Sequence, residues 1–242
     1  MFGQNDQSHF NSLWERKLTD SSLSREYSPG ANLRVDEALK VLARGRRLLD
    51  IGCGTGILLA ESKDRYQEVY GVDIAASAVA LARQKDIKAD VVNLNVDGLP
   101  YPDGFFDAVT ILSAIQYFYN MDRVLQDCAR VLSPLGVLLL SVPNMRAIWR
   151  IGKLLFLGKF PGVSHDPENY DGGTLHYFTT SDINGLLIRN GFQVVSAYGI
   201  FCIPKFLTPF PNRGMFGRAK REFFSAEIFV QAIKVSQEHI QK

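Results

Sequence analysis

LLDIGCGTG, residues Leu48–Gly56, decides the reading of this chain. An apolar run ends in Asp50 and Ile51, and Gly52, Gly54 and Gly56 then follow at every second position, before the apolar stretch ILLA (57–60). That order reads as strand, tight loop, helix. Glycine adopts positive φ without penalty and lets a ligand approach the backbone closely. A loop of this kind at the carboxyl end of a first strand is where open α/β sheets bind ligands. The spacing is GxGxG. It is not the GxGxxG of dinucleotide enzymes, and no Gly-Lys-Ser/Thr follows as in a Walker loop. Seventeen residues past Gly56, EVYGVD (68–73) ends in Asp73, an acid placed to accept hydrogen bonds from two ribose hydroxyls. The indicated ligand is nucleoside-like, and it needs no pyrophosphate.

Outward from this loop the pattern alternates. RRLLDIG (46–52), EVYGVD (68–73), Ala89–Leu94, FFDAVTIL (105–112), Gly136–Val142, Phe192–Ala197 and Ala226–Val235 read as strands. Gly56–Arg65, Ala75–Lys85 and Asp122–Leu132 read as helices, the last with Val124, Leu125, Cys128, Val131 and Leu132 on one face. Ser181–Asn190 adds another, with Ser181 as N-cap and Gly191 as C-cap. Strands alternating with helices of about ten residues specify an α/β fold, a doubly wound and mostly parallel sheet. Residues 1–30 read as a flexible or helical lead-in, with one short helix at Phe10–Asp20. Residues 31–242 read as a single domain, with Arg34–Arg44 at helical spacing, an insertion at about 144–170 and an irregular basic segment at 200–221.

The chain has 242 residues, 46% of them apolar and 21% charged, which excludes global disorder. Its net charge of +2 gives no sign of a nucleic-acid binder. That total hides a split, −3 over residues 1–142 and +5 over residues 143–242. The basic half implies an acceptor side that favours an acidic substrate, a phosphorylated lipid or an acidic protein partner. Cys53, Cys128 and Cys202 form no CxxC pair, and no histidine pair has metal-ligand spacing, so no metal is expected. MFGQNDQSHF at the N-terminus lacks an apolar signal region, and a soluble cytoplasmic protein is the expectation.

LLDIGCGTG, GVDIAASAVALAR, NVDGLPYPDGFFDAVTILSAIQYF and RVLSPLGVLLLSVPN, in that order, resemble the successive motifs of class I S-adenosylmethionine-dependent methyltransferases. The resemblance is dense over residues 40–145 and looser through LHYFTTSDINGLLIRNGFQV (175–194). It implies a Rossmann-like seven-stranded sheet with the last strand antiparallel. The implied cofactor is S-adenosylmethionine, with S-adenosylhomocysteine as product, and the implied reaction is in-line methyl transfer to a small molecule. The resemblance lays Gly52–Gly56, with Cys53 and Thr55, against the amino-acid part and ribose. Asp50 falls near the methionine ammonium, and Asp73, beside Ile74, holds the ribose hydroxyls. Where relatives carry an acid for the adenine amino group this chain has Asn95, followed by Val96 and a rival, Asp97. Ser113–Tyr117 line the pocket, Gln116-Tyr117 standing where many relatives have Glu-His.

Read on their own chemistry, Cys53 is a small loop filler, Asp103 and Asp107 are solvated turn residues, and Phe105 and Phe106 belong to the core. A sulfonium is already activated, so a base is needed only where the acceptor must lose a proton. His176, in LHYFTT, and Tyr117 are the candidates on the acceptor side; His165 stands in the insertion. Met145–Gly162 carries Arg146, Arg150, Lys153 and Lys159 among apolar residues and no acid, which suits a lid or a peripheral membrane contact. VPN, then WR, the insertion and LHYFT also resemble the MetW-type branch linked to methionine biosynthesis. That likeness implies the alternative of a cofactor-binding partner of a homoserine acyltransferase.

Overall fold

The run that ends at Asp50 is apolar on both faces because it becomes β1 (Gly45–Ile51), a strand in the interior of the sheet. The computed structural model describes residues 2–19, 32–163, 170–202 and 214–235. The other strands are β2 (Tyr66–Asp73), β3 (Lys88–Val91), β4 (Phe106–Leu112), β5 (Leu132–Pro143), β6 (Phe192–Cys202) and β7 (Ser225–Lys234). They form one sheet in the order β3-β2-β1-β4-β5-β7-β6. β7 runs antiparallel to both neighbours, β5 and β6. The remaining pairs are parallel, as the motif resemblance implies.

Alternate residues of the central strands feed two cores. Leu48, Ala108 and Leu139 face one side, where α2 (Leu33–Val41), α3 (Ile57–Glu61) and α4 (Ala76–Arg83) pack on them. Leu49, Val109, Ile111, Leu138 and Leu140 face the other, under α5 (Met121–Val131) and α7 (Thr180–Arg189). Burying each such leucine contributes on the order of 1.5–3 kcal/mol. Phe106 is fully buried in the core, and the half-buried Tyr70, Tyr101 and Phe105 rings pack against it, edge-to-face with Phe106.

Several expected boundaries move, each for a physical reason. α7 begins one residue before Ser181, because Thr179 and Asp182 form a capping box that outcompetes the serine. β6 continues past Ala197 to Cys202, since β7 pairs with it over that whole length. Within the segment read as irregular, Gly214–Phe223 is a helix, α8, whose final carbonyls receive the Asn144 side chain. Asp107 is no solvated turn residue: one carboxylate oxygen accepts the N–H groups of Arg46 and Arg47 at 2.6 and 2.9 Å, tying β4 to β1. In the insertion, Ile148–Leu157 forms α6. The N-terminal helix α1 is Phe2–Thr19, longer than Phe10–Asp20, and it lies against α4 through Asn11, whose side chain accepts from Ser77. His165 and His239 fall outside the described residues.

Candidate functional site

The chain leaves β1 toward β2 on one side, while β4 pairs on the other, so the strand order reverses between β1 and β4. Crevices at such points, outside the carboxyl ends of the strands, bind ligands. A cavity of about 790 Å³ opens there. Asp50–Thr55 follow β1 into it, Asp73 and Ile74 follow β2, and Asn93–Asn95 follow β3. Leu112–Ala114 and Gln116–Phe118 come from the end of β4, Pro143 from β5 and Glu227 from β7.

Gly52, Gly54 and Gly56 have φ of +72°, +51° and +74°. A side chain at Gly54 would also drive its Cβ to 2.4 Å from the Trp14 ring, while one at Gly56 would meet Ile87 Cδ1 at 2.4 Å. The two glycines therefore serve different ends. Gly54 lets the loop lie under α1, and Gly56 lets α3 and α4 approach behind the cavity. Backbone amides hold Asp73 in place: Gly54 donates to one carboxylate oxygen at 2.8 Å and Ala75 to the other at 2.9 Å. Burial nevertheless pushes the Asp73 carboxyl above the usual range. Asp50 accepts a hydrogen bond from Thr110 Oγ1 at 2.5 Å. Burial raises its pKa to about 7, against the Thr110 bond and with help from the Asp73 charge. The same surroundings push the Cys53 thiol far up, so it stays protonated and fills the loop, as its small size suggests.

Of the sequence-derived candidates, Asp50, Gly52, Cys53, Gly54, Thr55, Asp73, Ile74, Asn95, Ser113 and Tyr117 line the cavity; Gly56, Val96, Asp97 and His176 do not. Asn95 Oδ1 already accepts the Tyr119 amide at 2.8 Å. Asp97 donates its own amide to Asn93 O. Val96 is exposed, its carbonyl held by Arg123. His176 Nε2 lies 2.9 Å from Phe118 O, so the ring braces the loop that presents Tyr117.

Two features escaped the sequence, the α1 roof and Glu227. α1 roofs the cavity with Phe10, Leu13, Trp14 and Lys17, and Phe10 meets Tyr117 edge-to-face at 5.4 Å. The signal was present, because residues 10, 13, 14 and 17 share a helix face. Glu227 sits in a strand and is buried; Arg34 Nε donates to both its carboxylate oxygens at 2.8 Å, and Ser113 Oγ donates at 3.3 Å. No local pattern marks it, since Arg34 and Glu227 meet only through the sheet. Gln116 is buried, donates through Nε2 to Ser113 O, and leaves Oε1 without a partner. Ser113, at φ +51°, holds a strained backbone that belongs to the same corner. Among the described residues no group of three or more His, Cys, Asp or Glu side chains is placed to hold a metal ion.

The profile of a methyltransferase domain family matches residues 49–140. Among relatives, a probable S-adenosylmethionine-dependent methyltransferase of Mycolicibacterium smegmatis is 30% identical over 65% of this chain and 56% of its own length. Demethylmenaquinone methyltransferase of Thermus thermophilus is 38% identical over 47% and 56%, and the ubiquinone biosynthesis O-methyltransferase of Dechloromonas aromatica is 30% identical over 54% and 60%. The chain thus spans a little over half the length of these relatives. A methyltransferase of Haloferax volcanii, solved with the Trm112 methyltransferase activator, shares the fold at TM-score 0.67 and 17% identity, covering 96% of this chain and 99% of that one. An Archaeoglobus fulgidus S-adenosylmethionine-dependent methyltransferase does so at 0.64 and 17%, covering 93% and 99%.

Proposed function

We propose that this chain, which belongs to the class I S-adenosylmethionine-dependent methyltransferase family, transfers a methyl group from that cofactor to a small, largely apolar acceptor bearing a hydrogen-bond donor. The observation that carries this reading is the cavity at the strand-order reversal, where one glycine loop and the buried carboxyl groups of Asp50 and Asp73 face the same space. The residues fit the family's cofactor. A carboxyl group as deeply buried as Asp50 is costly without a cation, and S-adenosylmethionine brings an ammonium and a sulfonium. Asp73 is held at both oxygens by backbone N–H groups, and each oxygen keeps a further lone pair for a hydroxyl. Gly52–Thr55 complete the cofactor side, with Ile74 beside Asp73 and Asn95 at the far wall.

Bound S-adenosylmethionine supplies a methyl group on a sulfonium, which leaves a neutral thioether when the methyl departs. The chain's own residues then have to orient two reactants in line and exclude water. α1 closes the cavity from above. Gln116 Oε1, buried and unpartnered, accepts a hydrogen bond from the hydroxyl or amine of the acceptor. Glu227 is the carboxylate on that side; Arg34 and Ser113 fix it where it takes a proton if the acceptor must lose one. Tyr117 packs on the acceptor, and His176 positions Tyr117 through Phe118. The apolar acceptor class is supported by the two relatives named for quinone substrates and by the aromatic and aliphatic share of the lining.

The test is methyl-labelled S-adenosylmethionine with cell extract. Label in a solvent-extractable small molecule is expected, and its loss in Glu227→Gln with unchanged cofactor binding would assign the acceptor side. Cofactor binding with no labelled metabolite would overturn the enzyme reading. Copurification of a homoserine acyltransferase in that case would support the partner-protein alternative that the MetW-type likeness implies.

A further inference from the structure

None of the residues of α6 is buried. Ile148, Ile151, Leu154, Leu155, Phe156 and Leu157 are all exposed, Leu155 at 71% and Phe156 at 81%, and Phe160 just beyond the helix is exposed as well. A contiguous apolar surface of this kind marks a docking site. Its basic residues divide into two sets. Arg146 and Arg150 anchor the start of the helix, Arg146 on Glu222 at 3.3 Å and Arg150 on the carbonyls of Asn144 and Ala226 at 2.7 Å. Lys153 and Lys159, farther along, are exposed, and neither has a side-chain partner among the described residues. No acid lies between Met145 and Gly162.

α8 adds a second surface of the same character. Met215 is 90% exposed and Arg218 is exposed. Its acid, Glu222, is engaged by Arg146 and Arg221. Asn144 joins the two helices, since it follows β5 just ahead of α6 and its side-chain amide donates to the Arg221 and Glu222 carbonyls at the end of α8 and to the Ser225 carbonyl at the start of β7. Pro143 pairs with Glu227 across β5 and β7, and both residues line the cavity. Both helices therefore start or finish at the cavity's own end of the sheet.

We propose that α6, with the outer part of α8, docks on an anionic lipid bilayer and holds the cavity at the membrane surface, where an apolar acceptor is concentrated. The occupant follows from the charge. Apolar side chains flanked by the unpaired Lys153 and Lys159, with Glu222 engaged by two arginines, match an acyl interface under anionic headgroups; a protein groove would bring its own pattern of acids. Deepening the acceptor proposed above, the inference rests on that reading for the purpose of docking but not for its existence.

The experiment is cosedimentation of the full chain with phosphatidylcholine vesicles, with and without phosphatidylglycerol. Wild type is expected to pellet with the anionic vesicles and to stay mostly soluble with the neutral ones. Lys153→Gln with Lys159→Gln should lower partitioning roughly thirtyfold, and Leu155→Glu with Phe156→Glu should abolish it. Both double variants should bind S-adenosylmethionine like wild type in calorimetry, which shows that they are folded. Wild type remaining in the supernatant, or forming a dimer in ultracentrifugation that Leu155→Glu with Phe156→Glu dissolves, would overturn the proposal. Vesicle binding without cofactor binding would sink the functional reading and leave the surface standing.

Discussion

Two regions of this molecule invert the usual partition of side chains. At the ends of β1 and β2 two carboxyl groups, Asp50 and Asp73, are buried; along α6 a run of large apolar side chains stands in solvent. The sheet's core side chains follow the ordinary rule, with Leu49, Leu125 and Leu138 fully covered. Each inversion carries a free-energy cost that the folded chain does not recover by itself, so each points to something outside the chain. The carboxyl groups call for a cationic, hydroxyl-bearing ligand. The apolar helix calls for an apolar surface. The difference lies in rigidity: Asp73 is locked by two amides and Asp50 by a threonine hydroxyl, whereas α6 is fastened at its start by Arg146 and Arg150 and has no buried residue.

The comparison breaks first where stability is concerned. Leu125→Ala should cost about 2–5 kcal/mol in denaturant unfolding, as a cavity in a closed core does. Phe156→Ser, a larger truncation by volume, should shift stability by no more than about 0.5 kcal/mol. Equal losses at the two sites would mean that α6 is part of the folding core. On the polar side, Asp73→Ala should weaken cofactor affinity by roughly 1–3 kcal/mol through lost hydrogen bonds, with a thermal melt run alongside because Asp73 also anchors Gly54 and Ala75. An unchanged affinity would remove Asp73 from the ligand contacts. Thr179→Ala should cost about 1 kcal/mol of stability by removing the capping box, with no effect on cofactor binding. The smallest effect is expected for Trp14→Ala: a few-fold weaker cofactor binding, without loss of fold, if α1 serves as roof.

Much of this architecture was legible in the sequence, because the deciding patterns are local. A strand that ends in acid and alternating glycines states its own turn, and the apolar faces of α5 and α7 state their own packing. Asp73 could be placed by counting from the glycine loop. The acceptor side could not be placed that way. Glu227 and Arg34 are far apart in the chain and become neighbours only when β7 inserts between β5 and β6. Gln116 becomes conspicuous only once its oxygen is seen to lack a donor. α8 was hidden in a run whose proline, phenylalanine and arginine content spoke against a helix, although Gly214–Phe223 forms one. α1 was legible in its spacing of Phe10, Leu13, Trp14 and Lys17, yet nothing local said that this face would meet Gly54.

Asp50 carries the central claim, because its titration and the ligand's charge must be coupled. With a folded pKa of about 7, raised from the ordinary carboxyl value, the native state keeps the proton while the unfolded chain has lost it. Stability of the free protein therefore falls as pH rises from about 4 to 7 and is level above that. A cation bound beside Asp50 favours the anion, so binding below pH 7 releases a proton. The most direct test is calorimetric titration with S-adenosylmethionine at several pH values, in buffers of different ionisation heat. Affinity should rise about tenfold per pH unit up to roughly 7 and then level, with proton release below 7 and with Asp50→Asn flattening the slope. Folded protein that gives no binding heat at about millimolar ligand, near the weakest affinity worth counting, would contradict the account, as would an affinity that is flat in pH for wild type and Asp50→Asn alike.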